Sequence, residues 1–310
     1  MSIIFFQSIS KTYRKGFKAT PVKAVQDLTC NISSGCITGF VGPNGAGKTT
    51  TMKMIMGLVK PSCGSISIRS TDASLPKARE KVAYVSEQPY FYRHLSVSES
   101  LRFTADLLGI PGADIKGEIK RVLETVELGG KENLRIREMS KGMQQRLNMA
   151  NGLLGNPELL ILDEPMSGLD PPARRLFRNL FKTLGKEGKT IFFSTHVLED
   201  IEIVCDEVIV LDKGQLRYSG KVSTLLEQGY MGTELLVQDL PDQLVSQFEE
   251  KGWYVTGFEN GSSQIFVPSV DKSFECQKTL NQHQIFCESV VKRTKPLETL
   301  LYGSTLETKS

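Results

Sequence analysis

The chain lacks any run of about 18 apolar residues, so a membrane-spanning helix is not expected. Its first residues, Met1-Ser2-Ile3-Ile4-Phe5-Phe6, lack the basic region and cleavage site of a secretory signal and read as a strand instead. A surplus of one charge is also missing. With 38 Lys and Arg against 35 Asp and Glu, the net charge is only +3, and nothing in that balance demands a nucleic-acid partner. The six cysteines, at 30, 36, 63, 205, 276 and 287, form no Cys-x-x-Cys pair. That argues against a zinc site or a disulfide framework and for reduced thiols in a cytosolic protein. What remains is an ordinary globular composition, 40% apolar and 24% charged, on 310 residues. That length supports a full core and two domains.

One stretch organises the rest: Gly42-Pro43-Asn44-Gly45-Ala46-Gly47-Lys48-Thr49-Thr50. It fits the phosphate-loop pattern of Gly, four residues, then Gly-Lys-[Ser/Thr]. The preceding Cys36–Val41 reads as a short buried strand, and Thr50–Met56 as a helix stopping at Gly57. A loop between a strand and a helix N-terminus is the context this chemistry requires. Gly42, Gly45 and Gly47 let the backbone approach an anion closely, because they carry no Cβ. Free N–H groups and the helix dipole then favour phosphate. Lys48 is expected to reach the β- and γ-phosphates, and the Thr49 hydroxyl to hold Mg²⁺.

Residues 3–8 and 22–32 read as strands, with Lys11–Gly16 between them as a polar turn carrying Tyr13. Pro61–Gly64 reads as a turn, and Ser65–Arg69 and Lys81–Val85 as strands. The second of these runs into the polar and aromatic loop Ser86–Tyr92. A helix follows, capped by Ser96 or Ser98, with Leu101, Phe103, Leu107 and Leu108 expected to make apolar contacts. Ile115, Ile119, Val122, Leu123 and Val126 share one face of a second helix, about 113–128. Together these form an expected helical subdomain over about 90–155. Ser140 is placed to cap the helix that follows it.

Leu159–Leu162 is a continuous apolar run ending in Asp163-Glu164. It fits a parallel strand covered on both faces, with the two carboxylates at its carboxyl end, where such sheets bind ligands. Asp163 is expected to hold Mg²⁺ directly or through water, and Glu164 to polarise an attacking water as general base. A helix from about 172 to 186 follows the turn Ser167–Asp170. A further strand, Thr190–Ser194, ends at Thr195-His196, and His196 is the histidine placed to contact a γ-phosphate. His94 and His283 read as structural or surface residues. Glu207–Leu211 and Gln215–Tyr218 form a hairpin around Asp212-Lys213-Gly214. Residues 221–232 read as a short helix and linker. Beyond them the order is strand 233–238, helix 241–250, strand 253–258, strand 263–268, helix 271–281 and strand 284–292, with Asn260-Gly261 at the central turn. This is the ferredoxin-like βαββαβ order.

Over residues 3–220 the chain resembles the nucleotide-binding subunit of an ABC (ATP-binding cassette) transporter. Gly42–Thr50 is similar to its Walker A motif, Met139–Gln144 to its signature, and Leu159–Glu164 to Walker B. Ser167-Gly168-Leu169-Asp170 is similar to the D-loop, and His196 to the switch histidine. The resemblance implies a P-loop core with an antiparallel β subdomain and a helical subdomain, in an α/β fold. It implies ATP and Mg²⁺ as ligands, with Asn44, Gly45, Gly47, Lys48, Thr49 and Thr50 around the phosphates and Tyr13 stacked on adenine. It also implies a head-to-tail dimer in which Ser140 and Gly142 reach the γ-phosphate held by the other subunit and Asp170 works across the interface. Two departures stand out. The signature reads Met139-Ser140-Lys141-Gly142-Met143, a form similar to the branch with many drug, polysaccharide and lipid exporters. Glu87 occupies the column where the family has a Mg²⁺-contacting Gln, with Gln88 next to it, and either is a candidate metal ligand.

Ribosome-acting relatives carry two cassettes, and this chain has one Walker A. Chromosome-maintenance relatives place long coiled coils between Walker A and the signature, and no heptads occur here. A kinase would leave the signature and His196 unexplained, and a catalytically silent subunit would not need Glu164 and His196. The expected protein is therefore an ATPase subunit. Its cassette spans 1–220, a linker 221–232 and an accessory domain 233–310. It is expected to pair with a second, identical cassette and to dock on a separate membrane permease at the cytoplasmic face of the cell membrane. The loop Glu87–Tyr92 and the helical insert are the expected docking surface.

Overall fold

Two long strands, β1 (Ser2–Tyr13) and β2 (Val22–Ser33), pair antiparallel and open the chain. The computed structural model describes residues 1–14, 20–258 and 261–302. Strands β3 (Ile37–Val41), β4 (Cys63–Ile68) and β5 (Thr71–Asp72) follow, with helix α1 (Lys48–Ile55) between β3 and β4. One antiparallel sheet runs β2-β1-β4-β5. Lys11, Thr12 and Tyr13 belong to β1, paired with Val25, Lys23 and Val22, and are not a turn. Register shifts between Phe6 and Ile9 and between Ile9 and Thr12 break the period-2 pattern, which hides the strand's continuation in the sequence. Lys15 and Gly16 lie outside the described residues. Cys63 and Gly64 likewise start β4 instead of closing the turn at Pro61, because Cys63 pairs with Ser10.

The second sheet is built from β6 (Val82–Val85), β7 (Leu159–Leu162), β8 (Thr190–Thr195), β9 (Glu207–Asp212) and β10 (Gln215–Lys221), together with β3. Its order is β10-β9-β3-β8-β7-β6, parallel throughout except for the β9–β10 hairpin. Every residue of β3, β7 and β8 is buried, as expected of parallel strands covered on both faces. Helix α1 lies between the sheets: Met52, Met54 and Ile55 join Phe40, Ile161 and Phe192 on one side and Ile4, Phe6, Leu28 and Ile66 on the other in one core.

Helices α2 (Val97–Leu107), α3 (Gly112–Thr125) and α4 (Lys141–Leu153) form the helical insert. Ser96 caps α2 in a capping box. Its hydroxyl accepts from the Glu99 N–H at 3.2 Å, and the Glu99 carboxylate accepts from the Ser96 N–H at 2.7 Å. Replacing Ser96 with Ala removes one of these two bonds and is expected to lower stability by about 1 kcal/mol, read from the thermal midpoint of the full chain. The buried face of α2 is Val97, Ser100, Leu101 and Ala105. Phe103, Leu107 and Leu108 are exposed, contrary to the sequence expectation: Phe103 lies across the helix from Leu101, and Leu107 and Leu108 stand at the last residue and the C-cap, beyond Ala105, the last buried residue of α2.

Helices α5 (Pro171–Lys186) and α6 (Leu198–Val204) follow β7 and β8. Contacts divide the chain into two compact units, Met1–Val222 and Ser223–Ser310. After α7 (Val222–Gln228), the second unit holds β11 (Tyr230–Gln238), α8 (Asp242–Glu250), β12 (Tyr254–Gly257), β13 (Ser262–Val267), α9 (Val270–Gln282), β14 (Cys287–Thr294) and α10 (Leu297–Tyr302). Its antiparallel sheet runs β12-β13-β11-β14, the order of the ferredoxin-like arrangement. Leu235, Val237, Leu244, Phe248, Trp253, Ile265 and Leu280 form its own core. Tyr230–Gly232 belong to β11, where the sequence suggested linker, because they extend the pairing with β14 to Thr294. Asn260, expected at the central turn, lies outside the described residues. All six cysteines are free, and burial pushes the Cys30 and Cys276 thiols up to about 12.

Candidate functional site

The register of the parallel sheet decides what meets at its carboxyl edge. Val41 of β3 pairs with Thr195 of β8, and Phe193 of β8 with Leu162 of β7. The loops leaving these three strands carry Gly42–Lys48, Asp163-Glu164 and His196, so the topology brings together residues far apart in sequence. Gly47, which caps α1, has φ 105°, and a Cβ there would stand 2.3 Å from the Ala24 carbonyl oxygen. A Cβ on Gly42 would stand 2.3 Å from the Leu211 carbonyl oxygen. Both positions need glycine on steric grounds.

A pocket of about 490 Å³ opens over this loop. Asn44, Gly45, Gly47, Lys48, Thr49 and Thr50 line it, together with Ala24, Ala46, Glu87, Glu164, Ser167 and His196. Lys48 is buried. Its ammonium donates to the Gly42 carbonyl at 2.6 Å and lies 3.4 Å from Glu164 Oε1. Glu164 Oε2 lies 3.0 Å from His196 Nδ1, so this buried carboxylate is held between a lysine and an imidazole whose side chain is 52% exposed. The Glu164 backbone has φ 45°, a turn that a β-strand residue does not make, and its N–H donates to Ser194 Oγ at 2.8 Å.

Asp163 sits beneath, 1% exposed. Its Oδ1 accepts from Thr49 Oγ1 at 3.1 Å and from Ser194 Oγ at 2.8 Å, and its Oδ2 lies 3.5 Å from the Tyr84 hydroxyl. Burial, then the charge and hydrogen bond of Asp163, push the Tyr84 phenol far above its ordinary range, so it stays protonated and serves as a donor. Nothing in the sequence marks Tyr84 and Ser194 as site residues. Each sits in a strand, and only the register shows that it faces Asp163. Thr49 and Asp163 supply the hard oxygen donors that Mg²⁺ takes, and Mg²⁺ sites of this kind use one or two carboxylates plus phosphates and water. No group of three or more His, Cys, Asp or Glu that could hold a metal ion occurs among the described residues.

Of the two neighbouring candidates in the loop after β6, Glu87 lines the pocket and Gln88 is not among its lining residues. Tyr13, Ser140, Gly142 and Asp170 also lie outside the lining. Tyr13 is exposed at the end of β1, with the Lys11 ammonium 5.1 Å from its ring centroid. Ser140 caps α4, accepting from the Met143 N–H at 3.2 Å, and Asp170 caps α5, accepting from the Ala173 N–H at 3.0 Å.

Residues 25–167 match the family model described as ABC transporter. An uncharacterized ABC transporter ATP-binding protein of Nostoc sp. is 37% identical over 228 residues, which cover 73% of this chain and 68% of that one. A Nod factor export ATP-binding protein I of Cupriavidus pinatubonensis is 37% identical over 216 residues, 69% of this chain and 66% of the relative. Among solved structures, a dimeric bacterial ABC transporter cassette superposes with a TM-score of 0.65 at 25% identity, covering 71% of this chain and 98% of that chain.

Proposed function

The chain belongs to the ABC transporter family of ATP-binding proteins, and we propose that it hydrolyses ATP as a head-to-tail dimer to drive export through a separate membrane permease. The observation that carries this reading is the buried Glu164 carboxylate, held by Lys48 and His196 at the mouth of a phosphate-loop pocket. In this reading the glycine-rich loop and Lys48 hold the β- and γ-phosphates, and Thr50 adds a contact at the helix start. Thr49 and Asp163 would hold Mg²⁺, with Glu87 as the further candidate ligand, and the bound ion would supply neutralisation of the phosphate charge. Glu164 takes a proton from the attacking water, and His196 contacts the γ-phosphate. Tyr13 stacks on adenine.

Ser140, Gly142 and Asp170 act on the site of a second copy. The dimeric state of the similar cassette supports that role. ATP binding of this kind is a population shift toward the closed dimer, because it adds contacts present only there. Family members work with a membrane permease, and no described helix here is long and apolar enough to cross a membrane. Tyr90, Tyr92, Phe103, Leu107 and Leu108 leave exposed apolar side chains around the helical insert, a surface suited to a permease at the cytoplasmic face. The names of the Nod factor export relatives support the export direction. The first unit, Met1–Val222, acts as the cassette, and the second, from Ser223 on, as an accessory, regulatory domain.

The test is the mass of the Glu164→Gln protein by size-exclusion chromatography with light scattering. A monomer without nucleotide and a dimer with ATP and Mg²⁺ are expected, and Ser140→Arg is expected to abolish the dimer. A protein that binds ATP and stays monomeric would remove the homodimer from this reading.

A further inference from the structure

Helices α5 and α6 follow the two strands that carry Glu164 and His196 at their ends, and they are joined by charged side chains that the ATP site does not use. Asp200, on α6, is fully buried. Arg178, on α5, donates to Asp200 Oδ1 from Nε at 2.7 Å and approaches the same oxygen with Nη2 at 2.6 Å. A third nitrogen, Nη1, donates to Glu199 Oε1 at 3.2 Å. Burial pulls the Arg178 guanidinium down, but its bonds to Glu199 and Asp200 outweigh that and leave it above the ordinary range. Arg178 thus stays charged. Arg174, one turn earlier, adds to the effects that lower the Glu199 carboxylate, behind the hydrogen bond and the charge of Arg178.

This cluster closes a ring. From Glu164 the chain runs through Ser167–Asp170 into α5, where the Asp170 side chain caps the helix. Arg178 then crosses to Asp200. Four residues back from Asp200 stands His196, whose Nδ1 returns to Glu164 at 3.0 Å. The short path from Asp200 to His196 is itself fixed: the Asp200 N–H donates to the Val197 carbonyl at 3.2 Å, and the Val197 N–H to Thr195 Oγ1 at 3.0 Å. A shift of α6 against α5 therefore changes the approach of His196 to Glu164.

Stability alone does not account for the pair. Both strong bonds fall on Oδ1, and Asp200 Oδ2 is left buried with no partner, as is Arg174 Nε on the facing helix. A pair selected only to hold two helices together gains most from a bidentate fork, and well-packed apolar residues would serve at least as well. Buried ionic pairs are better understood as devices that fix one arrangement among several.

We infer that Arg178 and Asp200 are positioning residues that set the distance between His196 and Glu164, and so link the Ser167–Asp170 loop to the hydrolytic carboxylate. This inference rests on the roles proposed above for Glu164 and His196. Neither Arg178 nor Asp200 lines the nucleotide pocket, so their loss should act on turnover and leave ATP binding alone. Displacing a reacting group by about 1 Å can cost about 10²-fold in rate, and a loosened latch is expected to cost about 10-fold or more.

The experiment measures kcat and KM for ATP on the full chain. Three variants are compared with wild type: Asp200→Asn, Arg178→Lys, and the paired Arg178→Met with Asp200→Leu. The paired variant removes both charges together and so avoids an uncompensated buried ion, which guards against simple unfolding. Expected is a kcat lowered about 10-fold or more in Asp200→Asn and in the paired variant, with KM within about twofold and Arg178→Lys in between. Wild-type kcat in the folded paired variant, or a rise in KM at constant kcat, would overturn the latch. Wild-type turnover, measured alongside, separately tests the proposed function, because the latch is read only from the ratio of variant to wild type.

Discussion

Glu164→Gln is expected to lower ATP turnover by about 10²- to 10⁴-fold, the range a positioned general base supplies, while ATP affinity stays within a few-fold of wild type. The substitution keeps the shape of the side chain and removes its capacity to take a proton. Its local support survives in part. The backbone N–H still donates to Ser194 Oγ, and an amide can still pair with the His196 ring. What is lost is a carboxylate placed 3.4 Å from the Lys48 ammonium and 3.0 Å from His196, and both of those groups, proposed to contact phosphate, remain. Binding and hydrolysis should therefore separate. Phosphate release under saturating ATP measures the second, and equilibrium titration with a fluorescent ATP analogue measures the first. Turnover within about tenfold of wild type would mean that another group takes the proton, and Glu87, the other carboxylate lining the pocket, would be the next to replace.

The parts of the site whose chemistry is local are legible in the sequence. A phosphate loop is a contiguous stretch, so the residues of Gly42–Thr50 and their flanks suffice to place it between a strand and a helix. An apolar run ending in Asp163-Glu164 likewise reveals both its strand and its carboxylates. Ser140 and Ser96 announce themselves as caps, although choosing Ser96 over Ser98 requires the reciprocal bond to Glu99. Contacts between strands stay hidden. Tyr84 and Ser194 face Asp163 only because β6, β7 and β8 lie side by side in one register, which no single stretch encodes.

Pattern reading fails where the pattern itself is broken or shared. Bulges in β1 interrupt its alternation, so Lys11–Tyr13 reads like a turn. Phe103, Leu107 and Leu108 are expected to make apolar contacts, yet the buried residues of α2 end at Ala105 and these three stay exposed. Apolar character marks a residue as able to be buried, and does not by itself place it in the core. Glu87 and Gln88 are adjacent and similar in reach, and only the loop's path shows which one borders the pocket.

Lys48→Met is expected to weaken ATP binding by about 10²-fold, since a charge-assisted contact of this kind contributes on the order of 2–3 kcal/mol. The Lys48 ammonium donates to the Gly42 carbonyl at 2.6 Å and to the Pro43 carbonyl at 3.4 Å, and it lies 3.4 Å from Glu164 Oε1. It is thus held inside the glycine-rich loop, with its charge at the phosphate site proposed above. Met fills a similar volume without that charge, so the loop keeps its packing and loses its cation. Ligand-linked stabilisation provides the readout. At an ATP concentration about 100 times its Kd, wild type gains about 2.7 kcal/mol, and a variant with a 100-fold weaker Kd gains only about 0.4 kcal/mol at the same concentration. The nucleotide-induced rise in thermal midpoint should therefore nearly vanish in Lys48→Met. The nucleotide-free midpoint also reports on the variant, because Glu164 keeps His196 as a partner but loses its buried one. A full ATP-induced rise in Lys48→Met would show that the backbone N–H groups of Gly45–Thr49 and the start of α1 hold the phosphates without the lysine.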